Sequence, residues 1–323
     1  MSNPTVSFIL PCYNYARYLP DCLNSIVQQE GSWDFEIIAV DDASTDNTQE
    51  VLRSFADERL RIIRHETNRG HAVTVTDGLQ AARGKFIARI DPDDRYRRNF
   101  LKLTMEKFAQ YPEVGLVYGN AAMINAHGDI NAERCDRAHG GKDFKGNELV
   151  RLLEWNFICA PTVIARREAW QKAGSVPEWL AFHDWFFTVM IAREYEFYYL
   201  DQVLADYRVH GENHHTKVVI KKIEEPSIFW LLDQVYSAPE KNSALETAKQ
   251  RARRHIYGKQ YLDMAEKYFG CNYNEDARRC YWQALKHKPG YLLKATILRH
   301  FLGVVVGRTT YDFLKAFVRP AHR

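Results

Sequence analysis

Three carboxylates crowd one short stretch of this chain. Asp91, Asp93 and Asp94 fall within four positions, with Pro92 between the first two. Carboxylates this close repel one another unless a cation sits among them. Oxygen-rich clusters suit hard or borderline divalent ions such as Mg²⁺ or Mn²⁺. The stretch follows Gly84-Lys-Phe-Ile-Ala-Arg89, an apolar, β-branched and aromatic run that reads as a buried strand. Pro92 fixes its own φ and pushes Asp91 towards extended backbone, so the strand should end here and turn. In open α/β sheets, ligands gather at the carboxyl ends of the strands.

The elements that must position this turn are legible upstream. Val6–Leu10, Phe35–Val40 and Leu60–Ile63 read as strands, and Tyr18–Gln29, Thr48–Phe55 and Val73–Ala82 as helices. Strands alternating with helices imply parallel pairing with right-handed crossovers. Polar clusters follow the first, second and fourth strands: Pro11-Cys-Tyr-Asn14, Asp41-Asp-Ala-Ser-Thr-Asp46 and Asp91–Asp94. They should meet on one edge of the sheet. No GxGxxG follows the first strand and no GxxxxGK[ST] is present, so a nucleotide's phosphates need another partner.

Taken in order, Pro11-Cys-Tyr-Asn14, Asp41–Asp46, Asn68-Arg-Gly70, Gly84-Lys-Phe-Ile87 and Asp91-Pro-Asp-Asp94 resemble a family 2 glycosyltransferase with a GT-A fold. The likeness runs from about Val6 to Asn213. It implies an α/β, Rossmann-like, mostly parallel sheet and an inverting, metal-dependent transferase. The implied donor is a nucleotide-diphosphate sugar, a UDP-sugar above others. The implied acceptor is a glycan or lipid-linked glycan, as in cell-surface polysaccharide synthesis. By the resemblance, Pro11, Tyr13 and Asp42 hold the nucleoside. Tyr13 can stack on a base and a carboxylate can accept from a base N–H or a ribose hydroxyl. Capping by Ser44 or Asp46 would leave Asp42 free for that role.

The family's DXD motif maps to Asp91 and Asp93. Asp93 is then a ligand of Mn²⁺ or Mg²⁺, Asp91 a contact to ribose or metal, and Asp94 a stand-in for either. Asp184, in His183-Asp-Trp185 at the start of a helix, matches the catalytic base. An acceptor hydroxyl is a poor nucleophile until its proton is removed. The alternative for Asp184 is a plain helix N-cap. Tyr207-Arg-Val-His210 matches a further signature, making His210 a metal ligand and Arg208 a diphosphate or structural contact. One departure stands out: many relatives carry Arg-Asn where this chain has Thr76-Asp77, so the resemblance does not carry a donor-phosphate or donor-sugar contact over to that place.

Further along, Phe100–Gln110 reads as a helix and Val114–Tyr118 as a strand. Asn120–Asn147 reads as a mobile polar loop over the site. Phe157–Ile164 and Glu196–Leu200 read as strands. The loop and the stretch from Trp155 to Thr162 should shape acceptor choice. Residues 1–223 are read as the transferase domain and 224–323 as a helical domain. Within the latter, Tyr257 to Pro289 resembles one tetratricopeptide-like hairpin.

Across 323 residues, 44 Lys and Arg face 41 Asp and Glu, a net +3 that argues against a nucleic-acid partner. Yet the segment from Lys286 to Arg323 alone carries +7. Its amphipathic helices suit either peripheral contact with an anionic membrane or a solvated basic surface. The six cysteines show no zinc spacing and look like free thiols of a reducing compartment. With no visible signal peptide, a cytoplasmic location is expected. Two rival functions are a nucleotidyltransferase that makes nucleotide sugars, and a non-catalytic scaffold. The first would need a Gly- and Arg/Lys-rich loop after the first strand, which Pro11-Cys-Tyr-Asn14 does not supply.

Overall fold

The computed structural model describes residues 3–135, 138–210 and 222–307. Asp136, His214 and His215, and the basic tail from Arg308, lie outside the described residues. The chain divides into two compact units. One comprises residues 1–152 and 156–217; the other comprises residues 153–155 and 218–323.

The first unit is built on one sheet. Its strands are β1 (Val6–Cys12), β2 (Phe35–Asp41), β3 (Leu60–Arg64), β4 (Phe86–Arg89), β5 (Arg95–Tyr96), β6 (Val114–Ile124), β7 (Ile130–Ala132), β8 (Phe144–Gly146), β9 (Ile164–Arg166) and β10 (Glu196–Arg208). The order is β3-β2-β1-β4-β9-β6-β10-β5, with β7 on β6 and β8 on β10. β1 to β4 pair in parallel, as do β6 and β10. β9 runs antiparallel between β4 and β6. The helices are α1 (Leu19–Val27), α2 (Thr48–Ser54), α3 (His71–Ala81), α4 (Phe100–Gln110), α5 (Leu149–Glu154), α6 (Arg167–Ala173) and α7 (His183–Ala192).

β1 is buried along its whole length, as central parallel strands are. Phe8 and Leu10 on one of its faces pack with Leu19, Leu23 and Ile26 of α1 and with Phe100 of α4. On the other face Gly78 of α3 crosses Ile9 so closely that an added Cβ would sit 2.5 Å from the Ile9 side chain. This packing holds the carboxyl ends of β1, β2 and β4 level with one another.

Several elements differ from the sequence expectation. β6 continues through Gly119-Asn120 to Ile124, where a loop was expected, and β7 and β8 add strands within the same region. Only Ile164 of the Phe157–Ile164 run is strand. Ala160-Pro-Thr162 forms a 3₁₀ turn instead, since Pro161 has no N–H for a ladder. β10 runs on to Arg208, eight residues past the expected end, across two register shifts.

The second unit is helical: α8 (Glu224–Tyr236), α9 (Ser243–Gly270), α10 (Asn274–His287) and α11 (Ala295–Val306). Asn242 caps α9 by accepting from the amides of Ala244 and Leu245 at 3.0 Å. α9 packs along α10, and α11 closes over α10. Lys249 is fully buried here. Its Nζ donates to Glu240 Oε1 at 2.8 Å and to the carbonyls of Val235 and Ala238. Lys249→Met would strand the buried Glu240 carboxylate without its cation. The expected loss is about 3–5 kcal/mol, read as an early transition of this unit in urea. A melt unchanged from the parent would show that Glu240 finds another donor.

Candidate active site

The three polar loops do meet on one edge. Cys12 pairs with Asp41, and the Asp42 amide donates to the Cys12 carbonyl at 2.9 Å. Ile90 N donates to Ile9 O at 3.1 Å, bringing the Asp91 turn beside them. The first two loops are hydrogen-bonded together. Asn14 sits in left-handed backbone, φ 60°. Its Oδ1 accepts from the amides of Thr45 at 2.8 Å and Asp46 at 3.3 Å. Its own amide donates to Ser44 Oγ at 3.0 Å, and Tyr15 N donates to Thr48 Oγ1 at 3.0 Å. Pro11 is buried at the end of β1. Tyr13 is 44% exposed, so its ring is free of the core.

Asp42 is not free. Its carboxylate is buried and accepts from Arg69 N at 2.7 Å and Gly70 N at 2.8 Å, with His65 Nδ1 2.7 Å away. Burial pushes its pKa up. The Arg69 amide, the His65 imidazole and the Gly70 amide outweigh that and hold it below the usual carboxylate range. Asp41 takes the turn-capping role, accepting from Ser44 N. Asp42 therefore fixes the Asn68-Arg-Gly70 turn, where Gly70 has φ 86° and ψ 160°, open to glycine alone. The departure at Asp77 has a place in the same network. Its Oδ2 lies 3.0 Å from His65 Nε2 and accepts from Arg69 at 2.9 Å.

Asp42→Ala would leave two amides without their acceptor, a loss of about 2–4 kcal/mol. Because the folded-state pKa is depressed, the contribution is complete at neutral pH. It fades as pH falls through that depressed value. The melting-temperature gap between parent and variant should accordingly close in acid. A gap that widened there would contradict this role.

The Asp91–Asp94 turn is closed by Asp94 N donating to Asp91 O at 3.0 Å. Asp91 accepts from Arg89 at 2.9 Å. Burial would raise its pKa, but the Arg89 guanidinium, with His71 and His183, holds it well below the ordinary range. Asp93 and Asp94 go the other way. Burial and the neighbouring Asp91 raise Asp93; burial, Asp93 and Asp91 raise Asp94 far more. Asp94 Oδ1 accepts from the Arg208 amide at 2.7 Å, while its Oδ2 is buried with no hydrogen-bond partner. His210 Nε2 stands 3.0 Å from Asp93 Oδ2.

This donor set fits a divalent cation: crowded acids and an orphaned buried oxygen on one short turn, with the His210 imidazole brought against them from beyond β10. Among the described residues, no group of three His, Cys, Asp or Glu forms a ready-made cage. Two protein donors with the rest of the shell from phosphate and water is the usual economy of Mg²⁺-type sites.

Arg208 has a structural role. It is 1% exposed. Its guanidinium donates to the carbonyl of Asp93 at 2.6 Å and to those of Asn125 and Ala126. Tyr18, which sequence reasoning missed, lies under it at 4.8 Å and stacks on the His210 ring at 5.4 Å. Arg208 and Tyr18 thereby orient the turn and the imidazole.

Asp184 sits in the first turn of α7, whose cap residue is Phe182 with no side-chain cap bond, so Asp184 is not an N-cap. Its Oδ2 accepts from Asn156 Nδ2 at 3.1 Å. Trp185 anchors the helix start, donating from Nε1 to Leu152 O at 2.7 Å. His183 Nδ1 lies 3.0 Å from His71 Nδ1, the rings stacked at 5.3 Å and 19°. His71 Nε2 is in turn 3.5 Å from Asp91 Oδ1. These two imidazoles join the start of α7 to the acidic turn. His71, directly after Gly70, carried no recognised signal in the sequence. Contacts thus run from Asp42 through Gly70 and His71 to Asp91 on one side and to His183, next to Asp184, on the other.

Comparison with known proteins agrees with this architecture. The family model described as "Glycosyl transferase family 2" matches residues 7–173. An uncharacterized glycosyltransferase of Nostoc sp. is 32% identical over 223 residues, 65% of this chain and 66% of that protein. The UDP-Glc:alpha-D-GlcNAc-diphosphoundecaprenol beta-1,3-glucosyltransferase of Escherichia coli is 31% identical over 126 residues, 39% of this chain and 49% of its own. The chain thus spans about half to two thirds of the length of these relatives. Among solved structures, S. aureus TarS residues 1–349 with UDP-GlcNAc superposes with a TM-score of 0.62 at 17% identity, covering 93% of this chain and 79% of that one. That likeness is one of fold, and the GT-A architecture expected from the motifs is the one observed.

Proposed function

Because the chain belongs to glycosyl transferase family 2, we propose that it transfers a sugar, with inversion, from a nucleotide-diphosphate donor to a hydroxyl of a glycan or lipid-linked acceptor. The observation that supports this reading is the link His183–His71–Asp91, running from the residue before Asp184 to the acidic turn. A UDP-sugar is the favoured donor, in keeping with the UDP-linked substrates of the relative and the structure named above.

Each residue then has a task. Tyr13, exposed at the end of β1, stacks on the base. Pro11 and the Asn14–Asp46 bonds hold that loop in place. Asp42 acts on the nucleoside through the Asn68–Gly70 turn that it anchors. Asp91, kept ionised by Arg89, faces the ribose or the cation. Asp93 and His210 would hold Mn²⁺ or Mg²⁺, with Asp94 in reserve. When bound, the ion supplies Lewis-acid stabilisation of the charge on the departing diphosphate.

Asp184 accepts the proton of the acceptor hydroxyl as the new bond forms at the anomeric carbon. Asn156 steadies its carboxylate by donating to Oδ2. Attack comes from the face opposite the diphosphate, so the configuration inverts and no covalent sugar–enzyme species is needed. The test is a panel of nucleotide sugars assayed for thermal stabilisation and slow hydrolysis, with and without Mn²⁺. Stabilisation by one nucleoside diphosphate and hydrolysis of its sugar are expected. If no nucleotide sugar stabilises or is cleaved, the scaffold alternative takes its place.

A further inference from the structure

α11 is apolar on two sides but packs with one. Ile297, Phe301 and Val304 are buried, at the spacing of a single helical face. Leu298, Leu302 and Val305 form a second row at the same spacing and are 38%, 48% and 50% exposed, with Val306 beside them at 48%. Trp282 of α10, 53% exposed, stands with its ring 5.1 Å from Phe301, and Leu293 in the turn before α11 is 90% exposed. All of them are exposed apolar side chains of the helical unit. Exposed apolar surface of this kind on a soluble protein marks something it touches.

The charges that the chain itself carries along this stretch are of one sign, although Glu266 of α9 lies 2.8 Å from His300 Nδ1 on α11. From Ala277 to Gly307 there are six Lys or Arg and no Asp or Glu. Arg279 is paired with Glu225. Arg278, Lys286, Lys288, Lys294 and Arg299 are exposed, and among the described residues none of them pairs with a carboxylate. α11 has 12 residues, about 18 Å of helix at 1.5 Å per residue, against roughly 30 Å of hydrocarbon in a bilayer. No described helix is long and apolar enough to cross a membrane.

From the exposed row on α11, Trp282 and this cationic border, we propose that the helical unit docks in the plane of an anionic lipid surface. Leu298, Leu302 and Val305 enter the acyl boundary, Trp282 sits at headgroup level, and the five bases face lipid phosphates. The occupant follows from the charge and the shape. A protein partner would have to supply both a groove for one convex helix and a ring of acids; an anionic bilayer supplies both without design. The inference does not depend on the identity of the sugar donor.

The experiment is co-sedimentation of the full chain with phosphatidylcholine vesicles, with and without phosphatidylglycerol. The bound fraction should rise about tenfold or more with the anionic lipid and fall with salt. Leu302→Glu with Val305→Glu should abolish binding, and Lys294→Glu with Arg299→Glu should reduce it about tenfold, with unchanged circular dichroism and donor hydrolysis. The second pair guards against a folding defect in the first, since both its positions are exposed and charged already. A chain that stays in the supernatant with anionic vesicles overturns the proposal. So does a dimer in light scattering that the Leu302/Val305 variant converts to monomer, which would assign the face to a second copy.

Discussion

Asp184→Asn is expected to slow sugar transfer by about 10²–10⁴-fold, the usual cost of losing a general base, while donor binding survives. The substitution keeps shape and lets the side chain still accept from Asn156 Nδ2. Trp185 and the rest of α7 stay buried and untouched. What disappears is the basic oxygen, so kcat should fall while the dissociation constant for the nucleoside diphosphate stays put. A purely structural role for Asp184 would show the reverse pattern, a lowered melting temperature with kcat per folded molecule intact. Near-normal turnover would remove Asp184 from the mechanism.

Chelation should abolish activity, and Mn²⁺ or Mg²⁺ should restore it; Asp93→Asn should cost at least about 10²-fold, since charge stabilisation by a bound cation amounts to several kcal/mol. The electrostatics supply a second readout that does not involve turnover. Burial and the Asp91 charge raise Asp93, and burial with the charges of Asp93 and Asp91 raises Asp94. Neutralising Asp93 relieves that repulsion, so the metal-free variant should melt at or above the parent. The parent should gain stability when Mn²⁺ is added, and the variant should gain little. Activity indifferent to chelator, or equal stabilisation of both proteins by Mn²⁺, would sink the assignment of Asp93 and His210 as ligands.

The acidic turn and the three loops were legible because they depend on local grammar. A buried strand followed by Asp-Pro-Asp-Asp reads the same way in sequence and in space. The bonds that engage Asp42 were not legible for the same reason. An Asp after a strand looks alike whether it faces a ligand or two backbone amides, and those amides lie 27 and 28 residues away. Arg208 and His210, two positions apart, both reach the turn: Arg208 at the end of β10 donates to the Asp93 carbonyl, and His210 just beyond it stands against the Asp93 carboxylate. β6 was cut short because Gly119-Asn120 resembles a turn. Here Gly119 is instead a close crossing, where a Cβ would lie 2.6 Å from Leu204. The His71–His183 contact spans 112 residues, beyond the reach of periodicity or motif spacing.

The Asn14 clasp between the first two loops has a thermodynamic consequence. Five hydrogen bonds already fix the segment from Asn14 to Ala16 against Ser44 through Thr48. On the proposed reading, the conformational entropy of arranging these loops for a nucleoside is therefore lost when the chain folds and not when the donor arrives. Breaking the clasp with Asn14→Ala would hand that ordering to the donor, and affinity for the nucleotide would weaken even though Asn14 itself need never touch it.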